Sequence, residues 1–194
     1  MLACHSMPRT EIVHEDATLR LGVSRNLLIV AWLGTPESAQ LRALGRARAA
    51  LATKHKADVG SLDVVLAGIL PRFTQEIRDE VVQMLRDARL QGLGSAHVAL
   101  AEGLSGVTTR AFLSTATLLA HSSTPHRVFS ELRPAATWLA PLLAAGSVPW
   151  SVDDILAAQA EVTGIDAPSA GKGSPSGTRE SAGRPAQETR VKRA

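Results

Sequence analysis

The chain has no tyrosine, three tryptophans, three phenylalanines and a single cysteine among its 194 residues. One thiol, Cys4, excludes a disulfide framework and fits a reducing compartment. So few aromatics leave little material for the stacking platforms that hold single-stranded nucleic acid. Long apolar runs are missing too. The longest, Leu27–Leu33, falls far short of the ~20 residues that cross a bilayer, and Met1–Thr10 has no apolar core of a secretory leader. These absences predict a soluble, cytoplasmic protein with no membrane partner.

Net charge is small and local. Met1–Gly164 carries 15 Lys+Arg and 15 Asp+Glu, so the body is neutral and the remaining residues supply the whole +3. The sequence pI near 9.6 therefore describes a tail and not a basic face, and a nucleic-acid partner is not expected. Cys4, His5 and His14 lack the closed spacing of a metal site and read as a frayed terminus.

What is present alternates in character. Leu19, Leu21 and Val23 interleave with polar or small residues over Thr18–Val23, the pattern of a strand with one wet face. Leu27–Leu33 is unbroken and suits a strand covered on both faces, with Ser24-Arg25-Asn26 reversing the chain between the two. Thr35-Pro36-Glu37 reads as a helix start, with Thr35 as cap, and the helix runs to about His55. Leu41, Leu44, Ala47 and Leu51 form its inner stripe, while Arg42, Arg46 and Arg48 are expected as solvated stems.

Further along, Leu62–Leu70 reads as a buried strand and Thr74–Leu90 as a helix with Ile77, Val81, Leu85 and Ala88 inward. His97–Ala101 is a strand, Gly103–Gly106 a turn, Val107–Ala120 a helix, Arg127–Phe129 a short strand and Pro134–Ala145 a helix. Ser151 to Asp154 is a capping-box pattern opening a last helix to about Val162. Beyond Gly164 the Gly/Ser/Pro/Ala-rich chain cannot bury enough surface to offset its ordering entropy.

Strands alternating with helices after a hairpin require parallel pairing with right-handed crossovers. The expected fold class is α/β: a mixed, mostly parallel sheet of four or five strands with an N-terminal hairpin, covered by four or five helices. The expected organisation is a flexible N-terminus over 1–16, the α/β domain over 17–145, a C-terminal helix over 146–163 and a disordered basic tail over 164–194.

Candidate chemistry is sparse. Glu102-Gly103-Leu104-Ser105-Gly106 puts a serine in a strand-to-helix turn, but a nucleophile elbow needs Gly-x-Ser-x-Gly and here the second glycine comes one residue early. No phosphate-loop motif exists. Ser105 and Gly106, opening a helix, remain an anion-binding candidate. His121 and His126 share a loop without the same-face spacing of metal ligands. Glu76, Asp79, Glu80 and Asp87 read as the wet face of their helix. Trp32 reads as core; Trp138, with Leu139, Leu142 and Leu143, would serve self-association if the last helix left it uncovered. No cofactor, metal or enzymatic activity is expected.

The order hairpin, helix, strand, helix, strand, helix, short strand, helix carries a resemblance. Leu27–Leu33 runs into Gly34-Thr35-Pro36, Leu62–Leu70 into Pro71 and an amphipathic helix, and His97–Ala101 is closed by Glu102-Gly103. Over about Thr18–Ala145 this resembles the STAS-like domains of anti-sigma-factor antagonists, of the single-domain delta-proteobacterial type. The resemblance implies a bacterial regulatory module whose partner is a protein such as a regulatory kinase or an anti-sigma-like factor.

Phosphoregulated members of that family carry an Asp-Ser pair where the third strand meets its helix. Here the matching stretch is Pro71-Arg72-Phe73-Thr74, without the pair; Thr74 is the only hydroxyl placed to substitute, and as a helix cap it already has a structural reason. The expected function is thus a non-enzymatic regulatory or scaffolding module that binds a protein through Arg72, Phe73, Thr74 and Arg78. The alternative is a small-ligand or anion-binding protein using the Gly103–Gly106 turn.

Overall fold

A computed structural model describes residues 9–56, 58–66, 74–87, 92–146 and 148–166. Six strands form one sheet in sequential order: β1 (Glu11–Glu15), β2 (Leu19–Ser24), β3 (Leu27–Trp32), β4 (Gly60–Val65), β5 (Gly94–Ala99) and β6 (His126–Phe129). The first three pair antiparallel and the last four parallel. Five helices complete the chain: α1 (Ser38–Lys54), α2 (Gln75–Arg86), α3 (Gly103–Ala120), α4 (Leu132–Ala144) and α5 (Val152–Thr163). The fold class is the α/β mixed sheet expected from the sequence.

The sixth strand is β1, which lies within the stretch expected to be flexible. It is ordered by Asp16, whose Oδ1 accepts hydrogen bonds from the Thr18 and Leu19 amides at 2.7 and 2.8 Å and so builds the turn that lays β1 against β2. Those bonds, the Thr18 amide foremost, hold the Asp16 carboxyl well below the usual carboxylate range.

Each inner strand shows alternate residues to two helical layers. On one face Leu27, Ile29, Leu62, Val64, Ala96 and Val98 pack under α4 and α5 with Leu139, Leu143, Ile155 and Val162, all fully buried. Each such aliphatic side chain contributes roughly 1.5–3 kcal/mol. On the other face Leu28, Val30 and Trp32 pack under α1 and α2 with Leu41, Leu44, Leu51 and Ile77.

The last helix belongs to the same core as the α/β body. Its capping box is present as the sequence suggested, with Ser151 and Asp154 bonding each other's backbone amides. Gly22 lets it sit down on β2, because a Cβ there would collide with Val162. Just before it, the buried Trp150 donates its indole N–H to Asn26 Oδ1 at 2.8 Å, while Asn26 Nδ2 donates to the Asp58 carbonyl at 2.7 Å. One amide thus ties the hairpin turn to the approaches of β4 and α5. With α5 in place, Leu139 and Leu143 are covered and Trp138 is only partly buried, against Phe129.

Three local expectations change. The first helix begins at Ser38, with Glu37 as a cap that makes no side-chain bond; Thr35 and Pro36 precede it. The third helix begins at Gly103, whose φ of +60° favours glycine, so the expected turn is its first helical turn. Arg48 is not a solvated stem but 6% exposed. The segment 67–70 of the expected third strand and the end of the second expected helix lie outside the described residues, as do most of the N-terminal stretch and the tail from 167 onward.

Candidate functional site

The sheet face under α1–α3 changes chemistry from β3 to β6. On β3 it is apolar. On β4 and β5 the side chains on this face include Ser61, Asp63, Ser95 and His97, all buried, and on β6 it includes His126. The parallel register explains the row, because Ser61 lies opposite Ser95, Asp63 opposite His97, and Ser95 opposite His126.

These groups are linked. Ser61 donates its hydroxyl to Asp63 Oδ2 at 2.7 Å, and His97 Nδ1 lies 3.2 Å from the same oxygen. His97 Nε2 is 3.2 Å from His126 Nδ1, with the two rings stacked at 5.5 Å between centroids. From α1, Arg48 reaches down to donate from Nη2 to Ser95 Oγ at 2.9 Å.

Burial alone would raise the Asp63 pKa. The hydrogen bond and charge of His97, the charge of Arg48 and the Ser61 hydroxyl outweigh it and hold the carboxyl below its ordinary value. Burial pulls the Arg48 guanidinium down, against the opposing pull of Asp63. Burial, then the neighbouring His97 and Arg48 charges, lowers His126 to about 4, so it is neutral at physiological pH.

The order of groups is wrong for nucleophilic catalysis. A catalytic serine donates to a histidine that an acid orients; here Ser61 donates to the acid itself and the chain ends on a second histidine. Among the described residues no cluster of three or more His, Cys, Asp or Glu able to hold a metal ion occurs.

Beside this network lies a cavity of about 70 Å³, floored by the sheet and roofed by α1–α3. Its wall is mostly apolar, including Trp32, Leu44, Met84 and Phe112; Arg48, Asp63, His97 and Thr109 are among its polar members. Three buried polar atoms nearby have no hydrogen-bond partner: Arg48 Nε, Thr109 Oγ1 and His126 Nε2.

Outside, α3 carries a second feature. Leu104, Leu118, Val107 and Leu119 are 83, 74, 56 and 46% exposed. The only charged residue within the helix, Arg110, bends back toward the Ala99 and Ala101 carbonyls. The outer face of α3 therefore presents apolar and small uncharged side chains to solvent.

The site residues suggested by the sequence are dispersed. Arg72 and Phe73 lie outside the described residues. Thr74 caps α2, accepting from the Ile77 amide at 3.3 Å, and Arg78 on the same helix bonds Gln75 at 3.4 Å. Glu76 and Asp79 are exposed as expected, but Glu80 pairs with Arg42 of α1 at 3.6 Å. Ser105 and Gly106 sit in the first turn of α3, and Gly106 is required there because a Cβ would strike the Ala101 carbonyl. His121 ends α3 in the left-handed conformation, whereas His126 leaves the loop expected for it and joins the buried network.

Asp63, His97 and Thr109 were not singled out from the sequence and Arg48 was read there as a solvated stem, although part of their arrangement was readable. No protein-family model matches this chain, and no curated protein matches it in sequence. Among the described residues no helix is long and apolar enough to cross a membrane.

Proposed function

We propose that the domain is a non-enzymatic regulatory or scaffolding module that works by protein–protein association, and that its docking face is the outer face of α3. One observation carries this reading: an 18-residue helix exposes Leu104, Val107 and Leu118 on a face without a charge. Apolar patches of that kind on a folded domain mark association surfaces. The α2 face suggested by the sequence is a weaker candidate, since its outer positions are Gln75, Glu76, Asp79, Gln83 and Arg86.

The first occupant of the face is a second copy of the chain. Leu104 and Leu118 stand seven residues on either side of Ala111, and Val107 and Thr115 four residues on either side. A helix with such symmetry is self-complementary in an antiparallel pair: the leucine at one end meets the leucine at the other, and small side chains meet at the centre. Lack of charge removes like-charge repulsion from the pairing. The element order that resembles STAS-like domains supports the same regulatory reading, with a kinase or anti-sigma-like factor as a further partner.

Sedimentation equilibrium tests the proposal. The wild-type chain should show a reversible monomer–dimer equilibrium that Leu104→Glu and Leu118→Glu each shift to monomer. Equal mass distributions for wild type and both folded variants would sink the α3 face.

A further inference from the structure

We propose that the cavity between the sheet and α1–α3 is a binding site for a compact, uncharged molecule with an apolar body and one carbonyl oxygen. The site lies on the inner side of α3 and is independent of the docking face. Its apolar walls, Trp32, Leu44, Met84 and Phe112, define the body of the ligand. Its polar members define the head. Arg48 Nε is a donor without an acceptor, and the Thr109 hydroxyl, on a residue 1% exposed, has no partner either. Leaving such groups buried and unpaired is costly, so an oxygen acceptor brought in by a ligand is rewarded directly.

Charge balance selects a neutral ligand. Asp63 compensates Arg48 within the same buried network, and His126 is held neutral. A carboxylate would set a second negative charge beside Asp63, which already engages both Arg48 and His97, and an ammonium would repel Arg48. Size selects a small one: the cavity is about half the ~150 Å³ that accepts benzene in an apolar protein interior. A ligand of a few heavy atoms fits, or the head of a longer molecule whose remainder leaves past the half-buried Pro36 and Thr117.

The test uses acetone, with acetate and isopropylammonium as charged controls of the same four heavy atoms, titrated into the ¹⁵N-labelled full chain. The Trp32 indole signal should shift saturably with the ketone while the Trp150 indole, bonded to Asn26, stays fixed. Both charged analogues should bind at least tenfold more weakly. Thr109→Val, which keeps side-chain volume and removes the hydroxyl, should weaken ketone binding roughly three- to tenfold.

Ala116→Leu should fill the cavity and abolish the shift, with an unchanged Trp150 signal reporting that the core is intact. Three results would overturn the proposal: no saturable Trp32 shift at any concentration that leaves the Trp150 signal unchanged, carboxylate binding as tight as that of the ketone, or full-strength ketone binding to folded Thr109→Val.

Discussion

The two faces of the sheet differ in what they ask of the chain. Under α4 and α5 the contacts are aliphatic, with Leu139, Leu143, Ile155 and Val162 fully buried and no charged side chain among them. Under α1–α3 the same strands carry Ser61, Asp63, Ser95 and His97, and a helix sends an arginine down to meet them. The first face coheres mainly through buried area, with the Trp150–Asn26 hydrogen bond at its margin. The second depends on every member being present, since a buried ion that loses its partner costs several kcal/mol, whereas an apolar neighbour that loses atoms costs in proportion to the gap.

Substitution should separate the two behaviours. Asp63→Ala should destabilise by about 3–5 kcal/mol because Arg48 and His97 keep their polarity without a counter-group. Leu139→Ala, on the opposite face, should cost about 2–5 kcal/mol. The discriminating measurement is chemical denaturation of a compound variant. Asp63→Leu combined with His97→Leu and Arg48→Met should recover most of the loss, since apolar replacement of a whole buried ionic group is often neutral or stabilising. If the triple variant is less stable than Asp63→Ala, the network is cohesive in its own right.

A smaller effect probes the seam between hairpin and last helix. Trp150→Phe strips the donor from Asn26 Oδ1 and should lower stability by about 1–3 kcal/mol, read as a fall in the urea midpoint.

Acid should act on the polar face first. His126 has a folded-state pKa of about 4 against 6.5 unfolded, so the unfolded chain takes up the proton first and stability declines as pH falls from about 6.5 to about 4. Asp63 has a folded pKa below its ordinary 3.8, so its contribution is intact above that value and disappears as pH drops through the lowered one. Urea midpoints across this range should show the first decline vanish in His126→Asn while the second persists. The smallest expected change is in Leu118→Glu, within about 0.5 kcal/mol of wild-type stability at concentrations too low for pairing, because in the monomer the side chain is already in water.

Much of the second face was legible before the fold was known. Asp63 interrupts a run whose neighbours Leu62 and Val64 mark it as an inner strand, and a carboxylate there must find a partner. Arg48 lies four residues beyond Leu44 and three before Leu51, on the apolar stripe of α1, so periodicity alone turns it inward. What hid the cluster was a strand boundary: starting β5 at His97 instead of Gly94 concealed that Ser95 and His97 share a face.

Other parts were not legible. The register that brings His126 beside His97 depends on how the α3–β6 loop closes, and β1 depends on a side-chain-built turn at Asp16. Neither is encoded in hydropathy.

The outermost strand sets a bound on how such a molecule can assemble. In β1, five residues include Glu11, His14 and Glu15, and the pairing with β2 slips between Ile12 and His14. An incoming ribbon would find an irregular, ionised template, the condition under which sheets stop growing. Strand addition at this edge is thereby disfavoured, and the α3 pairing proposed above, being two-fold, would use up its own surface and stop at a pair.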